Sequence, residues 1–112
     1  MKHTVSFKPS VRIRVFTPAL EKILSSMRVV EAGPENLVVT SINDSDHGKI
    51  SRHYVDEAVD IRSKNFPTGA EKKQFLLEMR KLLGAKFYIF LEDEATSNEH
   101  FHVQVRIGQV YP

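Results

Sequence analysis

Apolar positions along this chain recur with two periods, one near two residues and one near 3.6, and the switches between them mark out the elements. Val11, Ile13 and Val15 alternate with arginines and predict a short strand over residues 11–16. Thr17-Pro18 then supplies an N-cap and a proline at the first helical position, where a missing N–H costs nothing. Leu20, Ile23, Leu24 and Met27 follow at the spacing of one buried helix face, and Gly33-Pro34 closes that unit. Leu37 to Ile42 is rich in β-branched residues and suits a buried strand, whereas residues 43–49 are polar and predict a surface loop. Ala58 to Arg62 is a further strand.

Thr68-x-x-Glu71 has the form of a capping box, in which two side chains satisfy each other's exposed backbone amides. Behind it Phe75, Leu76, Met79, Leu82 and Leu83 make one helical stripe, and Gly84 is the natural stop. Residues 86–91 and 101–107 predict two more strands. Two helices and four or five strands that do not strictly alternate point to an α+β domain on a small antiparallel sheet of about four strands. At 112 residues the chain fits one domain, residues 1–112.

Composition then narrows the chemistry. Apolar residues make up 41% and charged residues 27%, as in ordinary globular domains, and no apolar run is long enough to span a bilayer. Lys2 is not followed by an apolar core segment, so no secretory signal is expected. The net charge of +2 is spread along the chain with acids between the bases, which permits an anionic partner without arguing for one, and no nucleic-acid partner is expected. Cysteine is absent, so disulfides and thiolate metal sites are excluded. Any transition-metal site must use imidazole and carboxylate.

Two clusters offer those groups. In Ser51-Arg52-His53-Tyr54-Val55-Asp56-Glu57-Ala58-Val59-Asp60, alternation sends Val59 and Ile61 to the core and leaves Asp60 on the opposite face. His53 lies seven residues earlier and reaches Asp60 only if the chain bends. In Glu99-His100-Phe101-His102, the apolar Phe101, Val103 and Val105 put His100, His102 and Gln104 on the other face. A neutral imidazole on a packed strand is a good zinc ligand because its direction is already set. Glu99 stands three residues before His102, where its carboxylate could serve as a general base. The plainer reading of each cluster is a polar strand face in solvent.

The pattern S-x-H, A-x-D seven residues after the His, and a later E-x-x-H resembles the zinc D-Ala-D-Ala carboxypeptidases and L-alanyl-D-glutamate endopeptidases, which share a fold with the hedgehog signalling domain. The resemblance covers residues 40–107. It implies that His53, Asp60 and His102 bind Zn2+, that Glu99 is the base, and that Ser51 lines the substrate site. His100, beside His102, is a candidate substrate contact or a solvated neighbour. The implied activity is that of a metallopeptidase, a hydrolase cutting a peptide bond in peptidoglycan stem peptides during cell wall degradation. The small size is similar to phage lysins, which implies cytoplasmic synthesis and release by phage-assisted lysis or with the virion. Asp56 stands where the family usually has Gly, and an Arg upstream of the first His that contacts substrate is not singled out among Arg12, Arg14 and Arg28.

Two other readings compete. The same residues could keep zinc in a non-catalytic cell-wall-binding module. His100-Phe101-His102 also fits the His-hydrophobic-His strand of replication nucleases, but those need a tyrosine on a later helix, and Tyr111 leaves no room for one. The acidic run Glu92-Asp93-Glu94 is expected to be a solvated turn.

Overall fold

In the computed structural model, which describes residues 3–13, 16–43, 58–106, 109 and 111, the elements run β1 (Thr4–Phe7), α1 (Pro18–Val29), β2 (Asn36–Asn43), β3 (Ala58–Arg62), α2 (Gly69–Leu83), β4 (Phe87–Glu92) and β5 (His100–Val105). The architecture is α+β, as expected, but the sheet has five strands in the order β1-β2-β3-β5-β4. It is mixed rather than purely antiparallel, because β1 pairs parallel with β2 while the other three pairings are antiparallel.

The first strand is not where alternation placed it. Thr4–Phe7 takes the edge position, and a turn closed by Val11 N–H donating to the Lys8 carbonyl leads the chain off the sheet. Of the expected 11–16 strand, residues 11–13 and 16 take no strand conformation, Val11 packs at the margin of the core, Ile13 and Phe16 are 44% and 59% exposed, and residues 14 and 15 lie outside the described residues. The remaining strands lie within two residues of their expected bounds and both helices begin where expected, while α1 ends at Val29, four residues before Gly33.

Both helices pack on one face of the sheet. Leu20, Ile23 and Met27 of α1 and Phe75, Met79 and Leu83 of α2 join Val59, Ile61, Ile89, Phe101 and Val103 in one contiguous core. Its centre is a ring cluster in which Phe66, Phe75 and Phe101 have centroids 4.8–5.1 Å apart. Burying a Phe side chain contributes about 2–3 kcal/mol, so this cluster alone clamps α2 to β5. The opposite face carries the even-numbered residues of β3, β4 and β5, and it is there that polar groups gather.

The helix starts follow their sequence signals. Thr17 Oγ1 accepts from Leu20 N–H at 3.1 Å with Pro18 next to it, and Thr68 Oγ1 accepts from Glu71 N–H at 3.1 Å. Only half of the expected capping box forms. Glu71 does not turn back on Thr68; its Oε1 accepts from Gly33 N–H at 2.7 Å, while Glu78 Oε1 accepts from Glu31 and Ala32 N–H at 3.0 and 2.9 Å. Two carboxylates of α2 thereby hold three successive amides of the α1–β2 connection. Gly33 is needed in that connection, since its φ is +105° and a Cβ there would lie 3.2 Å from the Phe66 ring. At the β4 edge Arg80 Nη2 donates to the Ile89 carbonyl at 3.1 Å. No helix among the described residues is long and apolar enough to cross a membrane.

Candidate metal centre

The centre is assembled by register. Across β3, β5 and β4 the residues Asp60, His102 and Phe90 stand side by side, and the next rung is Arg62, His100 and Glu92. Neighbouring strands lie about 4.8 Å apart and same-face neighbours on one strand about 6.7 Å apart, so these rungs bring their side chains within reach of one another. Packing of Phe101 and Val103 into the core leaves His100 and His102 no choice of face.

Asp60, His100 and His102 each offer a donor atom, and these atoms all lie within 4.8 Å of one another, close enough to hold a metal ion. His102 Nδ1 is 2.8 Å from Asp60 Oδ1, and its Nε2 is 2.7 Å from Gln104 Oε1. Gln104 is oriented in turn by its Nε2 donating to the Val105 carbonyl at 3.2 Å. His100 Nδ1 is 2.7 Å from the Asn98 carbonyl, while its Nε2 is 2.7 Å from Glu92 Oε1 and 3.7 Å from Asp60 Oδ1. The Phe90 ring lies against His102 at 5.5 Å, stacked in turn on Tyr88 at 5.4 Å, with Arg106 over Tyr88.

These surroundings favour protonated imidazoles while no cation is bound. The hydrogen bond to Asp60 is the main influence on His102; it outweighs desolvation and, with Gln104, raises the pKa above the usual histidine value. For His100 desolvation is the largest single influence and acts downward, but the Asn98 carbonyl and the Asp60 and Glu92 carboxylates together outweigh it, and the net shift is upward. Two imidazoles and a carboxylate fit a divalent transition metal, which would take the place of the proton shared by His102 and Asp60.

Of the residues singled out from sequence, Asp60 and His102 meet as expected, and His100 joins them. His53 and Ser51 lie outside the described residues. Glu99 is differently placed. Its Oε1 is 2.6 Å from both Lys72 Nζ and Ser63 Oγ, and its Oε2 accepts from Ala95 N–H at 3.0 Å. Those bonds, with the Ala95 amide the largest influence followed by Lys72 and Ser63, pull its pKa from 4.5 to about 2. A carboxylate held so firmly ionised and already shared by three donors is a poor proton acceptor. Glu99 acts as the anchor that ties α2 to the β4–β5 turn.

The carboxylate beside the cluster is instead Glu92, on the last position of β4 and 41% exposed. Its membership of a strand, rather than of a solvated turn, is what aims it at His100. Tyr111 packs on the buried Phe87 at 4.9 Å, on the helix side of the sheet, and so gives no support to the nuclease reading. No family model, no curated protein and no solved structure matches this chain.

Proposed function

We propose that the chain is a zinc-dependent peptidase that cuts peptidoglycan stem peptides, with its centre on the open face of the sheet. The observation that carries this reading is the meeting of Asp60 and His102, 42 residues apart in sequence, at 2.8 Å on adjacent strands. These are two of the positions at which the S-x-H, A-x-D, E-x-x-H pattern implies metal ligands. His100 offers a third donor, and His53 is the third ligand the resemblance implies; loss of zinc in His53→Ala or in His100→Ala identifies which imidazole completes the set.

When bound, zinc would supply Lewis acidity toward a scissile carbonyl and toward a water. The chain's own residues do the rest. Gln104 fixes the His102 ring from behind, as supporting groups around metal ligands do. Glu92 receives the proton from the attacking water and returns it to the leaving amine, the role that sequence spacing assigned to Glu99. Its side chain is 41% exposed and so stays in contact with bulk water. Where His53 completes the ligand set, His100 keeps its Nε2 for Glu92 and holds that carboxylate beside the cluster.

The test is digestion of purified peptidoglycan by zinc-loaded protein with and without chelator, products being read by mass spectrometry. Chelator-sensitive release of stem-peptide fragments is expected. Glu92→Gln should bind zinc like the parent and lose about 10²–10⁴ in rate. Zinc bound stoichiometrically with no release from any stem peptide would reject the peptidase and leave a cell-wall-binding module.

A further inference from the structure

The hydrogen bonds around the two imidazoles fix which ring nitrogen carries the hydrogen when each ring is neutral. The Asn98 carbonyl, 2.7 Å from His100 Nδ1, can only accept, so that nitrogen is the N–H and Nε2 offers a lone pair. The lone pair faces Glu92 Oε1 at 2.7 Å and Asp60 Oδ1 at 3.7 Å. In His102 the order is reversed. Its Nε2 donates to Gln104 Oε1, which the bond from Gln104 Nε2 to the Val105 carbonyl keeps turned that way, and its Nδ1 lone pair faces Asp60 Oδ1 at 2.8 Å. Asp60 therefore meets a lone pair from each imidazole. On the outer side three acceptors, His100 Nε2, Glu92 and Asp60, converge with no donor among them, and a metal cation can take the place of the proton that would otherwise relieve them.

We propose that His100, Glu92 and Asp60 form a second divalent-cation site, and that its occupation switches the peptidase off. The inference rests on the peptidase reading and deepens it, with His53, Asp60 and His102 as the first ligand set. Asp60 then bridges two ions about 3.5–4 Å apart. Imidazole and carboxylate suit zinc, and an ion bound to both at about 2.0–2.2 Å needs their donor atoms about 3.3 Å apart. His100 Nε2 and Asp60 Oδ1 are near that spacing at 3.7 Å, and Glu92, 41% exposed at the end of β4, has room to draw back from 2.7 Å. A cleft of ≈ 270 Å³ opens onto Asp60 and His100 and admits the ion from solvent. Lys8, Arg62 and Lys64 line the same cleft. Their charge and the sharing of Asp60 make this the weaker site, by about a hundredfold or more. An ion there takes Glu92 as a ligand, and a ligated carboxylate no longer accepts the proton of the attacking water.

The site is tested by titrating zinc into the metal-free protein, reading bound equivalents by calorimetry and dialysis, and following peptidoglycan digestion over the same range. The parent should take one tight equivalent and one weaker one, and its rate should rise with the first and fall about tenfold or more with the second. Glu92→Gln and His100→Ala should each keep the tight equivalent, which also shows that the variant folds, and lose the weaker one. A single equivalent in the parent overturns the second site, and so does a weaker equivalent that survives in both variants. Loss of the tight equivalent in His100→Ala but not in His53→Ala makes His100 a ligand of the first ion and overturns it too. A second equivalent that leaves the rate of hydrolysis unchanged overturns the switch. Two equivalents with the expected variants, in a protein that cuts no stem peptide at any zinc concentration, uphold the second site and sink the peptidase reading. A single equivalent with full digestion does the reverse.

Discussion

Replacing Glu99 by Gln separates an anchor from a base. In the parent the carboxylate accepts from Ala95 N–H, Lys72 and Ser63, and its side chain is only 9% exposed. Its pKa falls from 4.5 to about 2, and each unit is worth about 1.4 kcal/mol, so ionised Glu99 contributes about 3 kcal/mol at neutral pH. Gln keeps an oxygen for Ala95 or Ser63 but turns its amide against the Lys72 ammonium, so we expect a loss of about 2 kcal/mol after partial solvation of Lys72. For a domain of this size that is a fall in Tm of roughly 8 °C. A depressed carboxylate stabilises the fold above its unfolded pKa and stops doing so as pH drops through its folded value. The difference between parent and Glu99→Gln should therefore be full above about pH 5 and shrink steadily between pH 4.5 and 2. Urea denaturation followed by far-UV circular dichroism at pH 7, 4 and 2.5 reads this directly. A Glu99→Gln protein as stable as the parent at pH 7 would refute the anchor. Full stability and bound zinc with hydrolysis lost would restore Glu99 to the role of base.

Zinc affinity should fall as pH drops from 8 to 6, because His102 and His100 hold their protons more tightly than free imidazole and must release them to bind; competition with a fluorescent chelator measures it. His102→Ala should lower zinc affinity more than a hundredfold, and Gln104→Leu about tenfold through the freed ring, both read by the same competition. Phe101→Ala should cost about 4 kcal/mol by emptying the centre of the Phe66–Phe75–Phe101 cluster, measured by urea denaturation. Thr68→Ala should cost about 1 kcal/mol by freeing Glu71 N–H, with no change in zinc affinity.

The helices were legible because their signals are local: a capping threonine, a proline or glycine at the right offset, and a stripe at helical spacing. The faces of β3 and β5 were legible for the same reason, and alternation alone put Asp60 with His100 and His102 once Val59 and Phe101 were buried. The strand β1 was not, since its only support is a parallel partner 32 residues away and just one of its four side chains is even half-buried. Glu99 carried a usable warning. It has the parity of Phe101, so alternation already aimed it toward the helices. Glu92 carried none. Its place across from His100 depends on how many residues the 93–99 turn consumes, including the left-handed Asp93 and Ala95, and no local pattern counts them. Arg62 was visible beside Asp60, but the cleft it lines with Lys8, Thr40 and the 97–99 turn is built by segments far apart in sequence.

The bond from Arg80 to the Ile89 carbonyl bears on how copies of the chain avoid one another. β4 is an outer strand, and an outer strand's open carbonyls are a template on which a second molecule can extend the sheet. Arg80 reaches from α2 and fills one such acceptor midway along the six-residue strand, while bringing a charge to its flank. Any incoming strand must displace that guanidinium to run the full length of the edge. The same helix that is anchored by Glu99 thus also guards the rim of the sheet against fibrous self-association, on the side where aromatic residues would otherwise invite it.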